Sequence, residues 1–188
     1  VIALISLHRN SLIKSDQLRE ILELLIPVDN FDQLKIPIKI ISTDIASGKD
    51  VISEEGNLID ALIKSCSIPG IMEPVIEGER VIVDGGVSMP IPISPLLESC
   101  DVTVAVDIGI YKFDNLKNPN AKSIKTRSDI ITSNRLKLKQ VSDADLVIRP
   151  DTNGLHWSRF DAGEILLEKG TIEGRKHISI VNNLIKTV

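Results

Sequence analysis

The sequence has 188 residues, with 22 Lys and Arg against 26 Asp and Glu for a formal net charge of −4, and 43% of it is hydrophobic. That balance belongs to a chain that buries a core, and the mild acidity with only 3% aromatic residues leaves no cationic, aromatic-interleaved stripe, so nucleic acid is excluded as a partner. The longest apolar runs, at 1–5 and 102–106, fall far short of the roughly 20 residues that cross a bilayer, so no transmembrane segment is expected.

In chain order, residues 1–5 (Val-Ile-Ala-Leu-Ile) open the chain without Met, a charged leader or a cleavage-type segment, and read as the continuation of an earlier stretch. Ser15-Asp16 precede apolar positions 18, 21, 22 and 25 at helical spacing, with Ser15 placed to cap the first turn and Pro27 to end the helix. Residues 36–43 are rich in Ile, start with Pro37 near their head and end at Asp44 and Gly48, the pattern of a buried strand and a turn, with 51–53 as a short partner strand. Asn57 can cap a helix through Leu58, Ala61, Leu62 and Cys66 that stops at Pro69-Gly70. Glu77-Gly78-Glu79 makes a tight turn into a strand at 80–83, which stops at Asp84-Gly85-Gly86.

Pro90, Pro92 and Pro95 stiffen the next connection, before a short helix around 96–99. A second near-continuous apolar strand, 102–107, is of the kind buried on both faces of a parallel sheet. Residues 111–126 are polar and read as a surface excursion; 129–141 read as helix and 145–149 as a third strand, ending at Pro150. From Asp161 onward the pattern is one or two amphipathic helices, with Gly170 and Gly174 as weak points. Strands alternating with helices over residues 1–188, without an internal repeat or a linker, predict one α/β domain with a largely parallel sheet and function at its strand ends.

Asp84-Gly85-Gly86 is the sharpest local feature for chemistry. It directly follows a strand, and two glycines leave the carboxylate sterically open and let the backbone take positive φ. Asp-Gly is also the commonest hairpin-turn dipeptide, so a plain turn stays open as a reading. Asp44 and Asp107 sit at strand ends too, where carboxylates are routinely turn or cap residues. Ser65-Cys66-Ser67 offers hydroxyls and a thiol, but the chain has no G-x-S-x-G pentapeptide, no G-x-G-x-x-G and no Walker loop. Cys66 and Cys100 lack metal or disulfide spacing, and His8, His156 and His177 form no ligand pair. No metal and no cofactor are therefore expected, and reduced thiols point to the cytoplasm. Lys122, Lys125, Arg127, Arg135, Lys137 and Lys139 gather charge on one helix, which leaves peripheral contact with a membrane surface open beside the simpler reading of a solvated face.

Five blocks taken in order resemble the patatin-like phospholipase family, in particular its bacterial members. They are Ser11-Leu12-Ile13-Lys14-Ser15-Asp16-Gln17-Leu18; Leu34-Lys35-Ile36-Pro37-Ile38 with Thr43-Asp44-Ile45-Ala46-Ser47-Gly48-Lys49; Ala61-Leu62-Ile63-Lys64-Ser65-Cys66-Ser67-Ile68-Pro69-Gly70-Ile71-Met72-Glu73-Pro74; Asp84-Gly85-Gly86-Val87 with Pro90 and Pro92; and Ala144-Asp145-Leu146-Val147-Ile148-Arg149-Pro150. Ser15, Lys64, Met72 and Met89 depart from the residues usual in the family, Met89 standing where Asn is common.

The resemblance implies a three-layer α/β sandwich of the patatin-like acyl hydrolase type, and a lipid acyl hydrolase, phospholipase or esterase, that works with a Ser–Asp dyad. By that resemblance Asp84 is the base that takes the serine proton, with Gly85 and Gly86 shaping the loop around it, and the substrate is a phospholipid or another acyl ester. The serine elbow and the glycine-rich oxyanion loop of the family have no counterpart in this sequence. The chain is thus expected to be the C-terminal portion of a patatin-like domain, inactive by itself, with residues 1–7 following the elbow. A non-catalytic fragment that binds lipid or protein is the alternative.

Overall fold

The computed structural model describes residues 14–155 and 159–187. Residues 1–13 lie outside that range, and with them the apolar opening, His8 and the start of the first family block; His156 does as well. The chain divides between Pro90 and Ile91 into two compact units.

The first unit begins with helix α1, Ser15–Leu25. Lys14 stands at its N-cap without a side-chain bond, so Ser15 is the first helical residue rather than the cap. Strand β1, Ile40–Asp44, is buried along its whole length; it starts four residues later than the Ile-rich pattern suggests, past Pro37, which has no N–H to give to a ladder. Strand β2 follows at Lys49–Ser53 and helix α2 at Leu58–Ser65, whose N-cap Asn57 accepts the Asp60 N–H as expected. Strands β3, Val75–Glu77, and β4, Arg80–Asp84, complete the unit. Phe31, Ile40, Leu58 and Ala61 form a buried cluster, against which Ile26, Val28, Leu34 and Leu62 pack.

The four strands make one sheet in the order β2-β1-β4-β3, and every pairing in it is antiparallel. This corrects the expectation of a largely parallel sheet. Short connections account for two of the three pairings: β1 turns into β2 at Gly48 and β3 into β4 at Gly78, both with φ in the left-handed region (72° and 63°), and such short turns can only join antiparallel neighbours; β1 and β4 are antiparallel across a connection that includes α2.

In the second unit, strand β5, Val104–Val106, pairs in parallel with β6, Leu146–Ile148, across a connection that includes helix α3, Ala121–Gln140. A parallel pair needs such a crossover. Helix α3 starts well inside the stretch expected to be a polar excursion, because Asn120 and Ser123 form a reciprocal capping box there. The expected helix near 96–99 is only a 3-10 turn at Ser94–Leu96. Helix α4, Gly163–Lys186, runs unbroken through Gly170 and Gly174. Ile91, Ile93, Ala105 and Val141 are the buried cluster of this unit. Among the described residues no helix is long and apolar enough to cross a membrane.

Candidate active site

Asp84 ends β4, and backbone contacts fix it from two sides. Its N–H donates to the Ser67 carbonyl at 3.0 Å, and its carbonyl lies 3.1 Å from the Thr43 hydroxyl. The side chain then caps the 3-10 turn Gly85–Val87: one carboxylate oxygen, Oδ1, accepts the Gly86 N–H at 2.6 Å. Oδ2 has no partner among the described residues. Asp84-Gly85-Gly86 is therefore a strand-to-turn exit and not a hairpin; the hairpins of this sheet turn at Gly48 and Gly78.

Neither glycine takes a positive φ, which corrects the conformational reason expected for them. Space explains both. A β-carbon on Gly85 would stand 2.3 Å from the Ile41 carbonyl oxygen, and one on Gly86 would stand 2.9 Å from Asp84 Oδ1. Gly85 lets the turn lie against β1, and Gly86 lets the carboxylate lie against its own N–H.

Burial pushes the Asp84 carboxyl above its usual range, and the Gly86 N–H draws it partly back. No cation is paired with it among the described residues. Desolvation thus outweighs hydrogen bonding, the condition under which a carboxylate becomes a better base.

The turn is held by a polar relay that the sequence did not single out. Ser88 Oγ donates to Asp50, so the proton of Thr43 serves both Ser88 Oγ, at 2.7 Å, and the Asp84 carbonyl. The Ser88 and Met89 N–H groups both donate to the Gly85 carbonyl, at 3.2 and 2.8 Å. These are backbone bonds, so Met89 closes the turn whatever its side chain. The Thr-Asp pair of the second family block was the available signal for Thr43.

The other candidates have structural work. Asp44 accepts the N–H groups of Ala46 and Val81 at 3.0 and 3.1 Å and the Ser47 hydroxyl at 2.6 Å, and these bonds, Ser47 first, hold its carboxyl below the usual range. Ser67 is buried and donates to the Ile63 carbonyl at 2.8 Å. Burial, and then the charge of Asp84, push the Cys66 thiol up, away from reactive thiolate. Among the described residues no three His, Cys, Asp or Glu side chains gather as metal ligands.

In the second unit, Asp107 is fully buried just beyond β5. Its carboxylate accepts the Tyr111 hydroxyl at 2.6 Å, the Gly109 N–H at 2.9 Å and Arg149 Nε at 3.1 Å. Asn134 of α3 donates to the Ile110 carbonyl at 2.6 Å. A β-carbon on Gly109 would lie 2.8 to 3.1 Å from side-chain atoms of Tyr111, Asp107 and Asn134, so a larger residue there would have to displace part of this network. Asp145, of the last family block, accepts the N–H and hydroxyl of Thr103 at 2.7 and 3.0 Å and ties the start of β6 to that of β5.

Comparison with known proteins agrees with the first unit most closely. Residues 2–97 match the family model described as patatin-like phospholipase. An uncharacterized NTE family protein of Mycobacterium tuberculosis is 36% identical over 78 residues, 41% of this chain and 22% of the relative. A second uncharacterized NTE family protein of that species is 23% identical over 172 residues, 78% of this chain and 29% of the relative. The chain thus spans less than a third of the length of these relatives. With the family model covering half of the chain, including β1, α2 and the Asp84 turn, the protein belongs to the patatin-like phospholipase family.

Proposed function

We infer that the protein hydrolyses acyl esters of lipids, phospholipids among them, with Asp84 as the base of a Ser–Asp dyad. One observation carries the reading: a half-buried carboxylate at a strand end, raised by desolvation, with Oδ1 held by the Gly86 N–H and Oδ2 without a partner among the described residues. In the reaction Oδ2 accepts the serine proton as the serine oxygen attacks the ester carbonyl. When the tetrahedral adduct collapses, the same proton passes to the departing alcohol oxygen, and a water molecule then repeats the cycle on the acyl-serine. The serine is supplied from outside these 188 residues, which contain no G-x-S-x-G, so this stretch by itself is inactive. The reading takes residues 1–188 as the later portion of one patatin-like domain that acts in the cytoplasm, with Gly85 and Gly86 as supports of the base.

The test is hydrolysis of a p-nitrophenyl acyl ester by the full-length protein. Asp84→Asn is expected to lower kcat by at least about a thousandfold, on the order of what positioned proton transfer contributes, with the fold retained. Full activity in that variant overturns the assignment of the base. Labelling of the 188-residue stretch by a fluorophosphonate overturns the outside serine, and a full-length protein that binds acyl esters without turnover favours a binding module.

A further inference from the structure

A cavity of about 590 Å³ opens at the start of α3, between that helix, the segment before it and the turn at Asn153-Gly154. The volume is within the range of small-molecule sites. Its wall carries Lys112, Lys117, Lys122 and Arg127 against a single carboxylate, Asp114. In a protein of net charge −4 this is a local reversal of sign. Among the described residues none of these four cations is in an ion pair. Lys125, one turn along α3, contrasts with them, because Asp129 neutralises it at 2.9 Å.

Arg127 is preorganised by neutral groups. Its two terminal nitrogens donate to the Asp114 carbonyl at 3.2 and 3.3 Å, and its guanidinium lies over the Phe113 ring, 4.6 Å from the centroid. Such partners orient the fork without cancelling its charge, which stays available for an oxyanion. Apolar surface adjoins the cations: Phe113 and Leu116 line the cavity, Phe113 is 40% exposed, and Ile124, next in the chain to the lining residue Ser123, is 52% exposed.

We propose that this cavity binds the phosphate headgroup of an anionic phospholipid and docks the second unit on a lipid surface. Cations set among exposed apolar side chains suit a ligand that is charged at one end and apolar at the other. A soluble phosphate would use the cations alone. Nucleic acid would call for a longer cationic track and free stacking faces, whereas Arg127 already covers Phe113. The inference is independent of whether Asp84 acts as a base.

Flotation of the full-length protein with lipid vesicles tests it. Vesicles of phosphatidylcholine containing phosphatidylglycerol are expected to carry the protein, in a manner weakened by salt, and vesicles of phosphatidylcholine alone are not. Lys117→Gln with Lys122→Gln removes two exposed cations and is expected to weaken vesicle binding by about thirtyfold, at about fivefold for each charge. Lys125→Gln is expected to leave it unchanged. Equal binding to both vesicle types, or undiminished binding by the double variant, overturns the proposal. Capture of inorganic phosphate or of a DNA oligonucleotide without vesicle binding also overturns it.

Discussion

The carbonyl oxygen of Ile41 lies 2.3 Å from the point where a β-carbon on Gly85 would stand. The contact is backbone against backbone, in the middle of the sheet, where neither side can step aside. Gly85→Ala is therefore expected to destabilise the protein by about 1–3 kcal/mol, the usual cost of forcing atoms into a filled interior. Urea unfolding measures it, and an unchanged midpoint would mean that the turn after β4 moves freely away from β1.

Gly86 meets a different neighbour, the carboxylate tip of Asp84. A side-chain end can swing away, so Gly86→Ala is expected to cost little stability, less than about 1 kcal/mol. What it loses is the N–H bond that draws the Asp84 carboxyl down. The carboxyl should then titrate higher still in a carbon-13 NMR titration. A value at or below that of the parent would show that the carboxylate found a better partner.

Burial makes the ionised form of Asp84 the costly one, and this has a sign in pH. The native state keeps the proton to a higher pH than the unfolded chain, whose Asp groups titrate near about 3.9. Stability contributed by the protonated carboxyl is complete below that value and is lost as pH rises through the native one. Asp84→Asn carries no such charge, so the variant is expected to be the more stable protein at pH 7, with the difference vanishing in mild acid. Denaturant midpoints at the two pH values decide it; a variant less stable than the parent at pH 7 would reverse the sign of the burial effect.

Tyr111 is the sole tyrosine of the sequence, so its ionisation can be followed directly by absorbance. Burial, then its hydrogen bond to Asp107, push the phenol up to about 12. Stability held by the neutral phenol is complete below about pH 10, its unfolded value, and is lost as pH rises toward the native one. A native midpoint near that of free tyrosine would dissolve the network as described. Tyr111→Phe, which removes one bond to a buried carboxylate, is expected to cost about 2 kcal/mol.

What could be read in the sequence was what short stretches decide. The Asn57 cap, the Gly48 and Gly78 turns and the position of Asp84 at a strand end follow from a few adjacent residues. The direction of the sheet was not legible, because an apolar strand such as 40–44 has the same composition in parallel and antiparallel company; a short connection decides its pairing with β2, and a long-range contact its pairing with β4. The need for glycine after Asp84 is not legible as a backbone signal: it comes from Ile41 and from the carboxylate itself, and the contact with Ile41 is a tertiary one. The start of α3 was hidden in polar sequence, since Asn120 and Ser123 resemble loop residues until their reciprocal bonds are seen. Gly170 and Gly174 lower helix propensity by roughly 1 kcal/mol each, an amount that a helix of 24 residues absorbs.

The pairing of Ser42 with Asp84 joins residues about forty positions apart, and the entropy of closing that loop falls on this one seam. The hairpins at Gly48 and Gly78 close over a few residues and belong to the microsecond regime. Each hairpin is therefore expected to close before the seam, with the burial of the candidate base complete only when one hairpin is stitched to the other. A chain with both hairpins formed but undocked has all four strands of the sheet and lacks the β1–β4 pairing that sets Asp84 beside Ser42. Pulsed hydrogen exchange would register that state as protected amides in β3 before those that bind β1 to β4.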